Sequence, residues 1–83
     1  MTVNEQKKLS AELLNIPLNE VEKCSVFIND VQALFVSVPT KDGQSLLVGN
    51  DGAVLYGNSA QSFSELIQSF KAGERTQIEF FGA

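Results

Sequence analysis

Eighty-three residues, 43% of them hydrophobic and six of them phenylalanine, suffice for one thin-cored domain and argue against disorder. Ten acidic against six basic side chains give a formal net charge of −4. With Arg75 the one arginine and no run of Lys or Arg, no nucleic-acid partner is expected. No stretch approaches the roughly 20 apolar residues that cross a bilayer, so no membrane partner is expected either. A lone cysteine, Cys24, fits a reducing, cytoplasmic setting.

Thr2 and Glu5 have capping-box spacing ahead of a helix over about Val3 to Asn15. Gln6, Leu9, Leu13 and Ile16 follow helical spacing, widened by Ala11 and Leu14. Pro17 disfavours helical geometry at Ile16 and ends the run there. Pro17 to Lys23 reads as a loop containing one helical turn, with a short second helix as the competing reading. Lys23 to Asn29 predicts a strand with Cys24, Val26 and Ile28 on one face and Phe27 on the other. After the Asn29-Asp30 turn, Gln32 to Val38 predicts a second strand, which Pro39 ends. Thr40 to Gly43 makes the return to Ser45–Gly57 (SLLVGNDGAVLYG), the strongest hairpin signal in the chain. Its loop is either a type I′ turn at Asp51-Gly52 or a type I turn at Asn50-Asp51 with Gly52 left-handed in a bulge.

Beyond a polar link at Asn58 to Gln61, Ser62 and Glu65 repeat the capping box, and Phe63, Leu66, Ile67 and Phe70 mark an amphipathic helix. Lys71 suits its negative end and Gly73 its C-terminus. Arg75 to Phe81 alternates as a fifth strand. The fold class expected is α+β: a four-stranded antiparallel meander plus a fifth strand, residues 1–83 forming one domain, both helices on one face. Leu34, Val36, Val38, Leu46, Val48, Ile78 and Phe80 would then form the core face. Phe27, Phe35, Leu47 and Val54 or Tyr56 would line a face that nothing in the chain covers.

The sequence contains no histidine, which removes the commonest general base near neutral pH and the commonest metal ligand. It holds no phosphate-loop or dinucleotide motif, and Cys24 reads as an unreactive buried thiol. Asp30, Asp42 and Asp51 stand at turns that account for them without calcium. Tyr56, Asn58 and Ser59 lie beside the start of the second helix, where an anion could dock, although capping by Ser62 is the favoured use of that helix end. No catalytic residue, metal or cofactor is expected. The function expected is contact with proteins, as a homodimer or with another protein, through Phe27, Phe35, Leu47, Tyr56 and Phe81. The alternatives are an immunity or inhibitor protein for a basic toxin or enzyme, and a small-ligand module with a pocket between the second helix and the sheet. The run Gly49 to Phe70 (GNDGAVLYGNSAQSFSELIQSF) resembles the strand-turn-strand-helix end of some bacterial toxin-immunity and related recognition domains. It covers about a quarter of the chain, and no functional residue is carried over.

Overall fold

The computed structural model describes residues 1–38, 44–57 and 61–81, the side chain of residue 78 excepted. Its elements are α1 (Val3–Leu14), α2 (Leu18–Lys23), β1 (Ser25–Ile28), β2 (Ala33–Val38), β3 (Gln44–Gly49), β4 (Val54–Gly57), α3 (Phe63–Lys71) and a 3-10 helix (Ile78–Phe81). The four strands form the expected antiparallel meander in the order β1-β2-β3-β4. The return at 40–43, the link at 58–60 and the core role of the Ile78 side chain lie outside the described residues.

Local chemistry sets each helix end. Thr2 and Glu5 close the capping box on α1, and those bonds to Thr2 hold the Glu5 carboxyl below its ordinary range. Asn15, left-handed at φ 55°, ends α1, and the Ile16 amide donates to the Ala11 carbonyl. Residues 18–23 form a complete short helix rather than one turn within a loop. Pro17, with φ −64°, is preset for helix entry, and Val21 is fully buried beneath α1 and the sheet. Ser62 and Glu65 cap α3, and Gly73 (φ 94°) finishes it, its amide donating to Phe70 and that of Glu74 to Ser69. This is the Schellman arrangement, which satisfies two carbonyls that the helix leaves open.

The central hairpin takes the bulged form. The Gly52 amide donates to the Gly49 carbonyl, Gly52 has φ 86°, and Asn50 and Asp51 avoid positive φ. The Asp51 carboxylate accepts from the Ala53 amide at 3.0 Å, fixing the turn from its own side chain.

The two helical layers lie on opposite faces of the sheet, which corrects the expectation that they share one. Leu34, Val36, Val38, Leu46, Val48 and Val54 pack with Leu14 and Val21 on the α1–α2 side. Ala33, Leu47 and Leu55 pack with Leu66 and Phe70 of α3 on the other. An uncovered Leu47–Leu55 surface costs about 1.5–3 kcal/mol per large side chain, and the amphipathic α3 is the element that relieves it. Gly57 and Gly49 let it come close: a Cβ at Gly57 would stand 3.0 Å from a Leu66 methyl, and one at Gly49 would stand 3.2 Å from the Phe70 ring. Strand register also reassigns faces. Phe27 pairs with Leu34, Val54 with Val48 and Tyr56 with Leu46, so all three belong to the α1–α2 side. Across the layers, Gln6 of α1 is buried and its Nε2 donates to the Val48 carbonyl at 2.8 Å.

The expected fifth strand is absent from the described residues. Thr76 makes one isolated antiparallel bridge to Val54, and the chain then coils into the 3-10 helix. Consecutive strand residues point to opposite faces, whereas the Phe80 and Phe81 rings meet edge to face at 5.4 Å. Both also stack against Tyr56, at 5.0 and 6.0 Å, and this aromatic cluster prevails over the alternating pattern of Arg75 to Phe81.

Candidate protein-contact surface

A sheet with two edges exposes two rows of backbone groups, and here the two edges differ. The parity of the ladder can be followed across the molecule. The Gly49 amide donates to the Ala53 carbonyl, so the odd residues of β3 bond β4 and its even residues bond β2. The odd residues of β2 then face β1, in agreement with the Ser37 amide donating to the Cys24 carbonyl at 3.0 Å.

At the β4 edge, Val54 and Tyr56 turn their backbone groups outward, and the segment after α3 meets both. The Thr76 amide donates to the Val54 carbonyl at 2.7 Å, and the Tyr56 amide donates to the Thr76 hydroxyl at 2.8 Å. Arg75 anchors this segment. Its guanidinium lies 3.7 Å over the Phe70 ring and donates to the Phe70 and Glu74 carbonyls. The β4 edge is therefore occupied.

At the other edge, the same alternation sends the N–H and C=O of Ser25 and Phe27 away from β2. Among the described residues β1 has one strand neighbour. Its four residues, Ser-Val-Phe-Ile, include none of the usual protections of an open edge: no charge, no proline and no bulge. Val26 is 54% exposed. It sits directly across from Phe35 on the α3 side of the sheet, and Phe35 meets Phe63 edge to face at 4.8 Å. Phe63 is itself 46% exposed, so Val26, Phe35 and Phe63 form an apolar strip leading inward from the open edge. Lys23 precedes the strand, and Asp30 follows it, paired with Lys71 at 2.5 Å.

The residues expected at an interface fall into three places. Leu47 is 0% exposed beneath α3, out of a partner's reach. Phe27 is half-buried against the α1–α2 core. Phe35 belongs to the strip, while Tyr56 and Phe81 are joined in the aromatic cluster with the 61% exposed Phe80. The exposed apolar Val26, Phe63 and Phe80 are not among the residues expected at an interface. The signal for Val26 was its alternation against Phe27, legible once it is known which face each helix covers.

No group of three or more Cys, Asp or Glu side chains among the described residues is placed to hold a metal. The Cys24 thiol donates to the Glu20 carbonyl, and burial, reinforced by the nearby Glu20 charge, pushes its pKa up, away from a reactive thiolate. Open depressions lie on either side of Arg75 to Glu79, one against Gly52 to Val54 and one against Tyr56, Gln61 and Phe80. A third lies among Asn4, Lys7, Lys8, Leu18 and Glu22. The space between the second predicted helix and the sheet, where the ligand-module alternative would need a pocket, is filled by Leu66 and Phe70.

Compared with protein-family models, curated proteins and solved structures, the chain matches none. The resemblance of Gly49 to Phe70 to immunity domains thus rests on its turn and cap residues alone. No helix among the described residues is long and apolar enough to cross a membrane.

Proposed function

We propose that this chain is a protein-contact domain with no reaction of its own, working through the β1 edge and the apolar strip beside it. The observation that carries the reading is the contrast between the edges. Thr76 occupies β4, whereas β1 offers Ser25 and Phe27 backbone groups next to the exposed Val26. An added strand would gain main-chain hydrogen bonds at that edge, and the Val26–Phe35–Phe63 strip would supply side-chain contact. A basic partner is one that the net charge of −4 would draw in faster.

The test is photocrosslinking in the cells that make the protein, with a photoreactive residue at position 26 and a control at Lys8, an exposed position on α1. The expected result is a discrete protein adduct from position 26 and none from Lys8. Failure to form an adduct at position 26 in folded protein would remove the reading.

A further inference from the structure

The β1 edge has a property beyond being open: it is complementary to itself. We propose that its occupant is a second copy of this chain, paired antiparallel across a two-fold axis that passes between the two Val26 residues. This rests on the preceding reading of β1 as a contact edge and names the partner.

The register follows from which backbone groups are outward. Only Ser25 and Phe27 of β1 present both N–H and C=O away from β2. Centring the axis on Ser25 would pair Phe27 with Lys23, which lies in α2, and centring it on Phe27 would pair Ser25 with Asn29, which lies in a turn. Centring it on Val26 keeps every partner within the strand. Ser25 then exchanges bonds with Phe27 of the second copy, and Phe27 with its Ser25, about four hydrogen bonds in all. Val26 faces Val26 in the close, non-hydrogen-bonded pair, with the two Cα atoms about 4.5 Å apart.

Three further features agree with this arrangement. The pairing joins the two Val26–Phe35–Phe63 strips on the same face of one continuous sheet. Antiparallel direction sets the Lys23 end of each strand beside the Asn29 end of the other, where a parallel pairing would set like ends together. Finally, the joined sheet ends in two β4 strands, each already met by its own Thr76, so among the described residues every strand of the dimer has a neighbour on both sides.

The experiment measures absolute mass by light scattering over a concentration series, together with amide exchange at Ser25 and Phe27. The expected result is convergence on twice the 9.0 kDa chain mass with slow exchange at both amides. Val26→Lys, at an exposed position, is expected to keep the circular dichroism spectrum while weakening the dimer by about tenfold or more. In a Cys24→Ser background, Val26→Cys is expected to give a disulfide-linked dimer on mild oxidation, because the close pair falls within disulfide reach. Ser64→Cys on α3 in the same background is expected not to link. A monomer at every concentration overturns the second copy. Fast exchange at Ser25 and Phe27 in that monomer leaves the edge open for a different protein, whereas slow exchange means the edge is covered from within and removes both readings. A dimer that survives Val26→Lys overturns the proposed placement.

Discussion

Thr76→Val tests the claim that distinguishes the two sheet edges. The substitution exchanges a hydroxyl for a methyl of the same size, so it opens no cavity, and the Thr76 amide keeps its bond to the Val54 carbonyl. What it removes is the acceptor 2.8 Å from the Tyr56 amide. An amide left without a partner costs about 1–3 kcal/mol when fully desolvated. Thr76 and Tyr56 are only half-buried, so water recovers part of that, and the expected loss is about 1–2 kcal/mol. With a urea slope of about 1 kcal/mol/M for a chain of this size, the unfolding midpoint falls by about 1–2 M. Amide exchange at Tyr56 should accelerate while that at Leu55, bonded inward to β3, changes only with global stability. Thr76→Ser, which keeps the hydroxyl, should restore both. Wild-type stability and unchanged Tyr56 exchange in Thr76→Val would refute the assignment of Thr76 as the cover of the β4 edge.

Three other outcomes follow from the packing. Gln6→Glu places a carboxylate against the Val48 carbonyl in a fully buried site, which raises the carboxyl pKa and costs about 3 kcal/mol or more at neutral pH. The folded pKa lies above the unfolded one, so the lost stability returns as pH falls, and urea midpoints at neutral pH and about pH 4 should show the gap to wild type closing. Gly49→Ala brings a Cβ to 2.7 Å from the Asp51 carboxylate and should destabilise by about 1–3 kcal/mol, measured by thermal unfolding, and by less in an Asp51→Ala background. Alkylation of Cys24 should rise at a higher pH than for a free thiol, first because the group is desolvated and second because of Glu20, and Glu20→Gln should shift the profile part of the way back. Because the folded state holds that proton more tightly, the same group lowers stability as pH rises through the thiol range.

The elements that could be read from sequence are those whose signals are local. Both capping boxes, the Gly73 stop, the Asp51-Gly52 hairpin with its two short apolar runs, and the period-2 run of β2 each act within a few residues, and each forms where it was expected. The errors arose where distant residues decide. The amphipathic stripe of α3 states that it needs a sheet, not which side of it, and the side is set by Leu66 and Phe70 meeting Leu47 and Leu55. Arg75 to Phe81 alternates like a strand, but the Tyr56 ring offers Phe80 and Phe81 a better arrangement than a ladder. The burial of the residues expected at a contact surface depends on the same distant packing. Leu47 has a partner in its own chain, while Val26, which sequence alternation places only opposite to Phe27, is exposed.

The position of Thr76 has a consequence for biosynthesis. Each strand pairs with its immediate neighbour in sequence, so the meander can assemble from short-range contacts as the chain lengthens. The cover for β4 does not arrive with it. Thr76 follows Tyr56 by 20 residues, and α3 must be made first. At about 5–20 residues per second, translation leaves the nascent sheet with a second bare edge for about one to four seconds. During that interval neighbouring nascent chains on one message could pair through β4 as readily as through β1. Slow codons between Tyr56 and Thr76 would lengthen that exposure, and faster ones would shorten it.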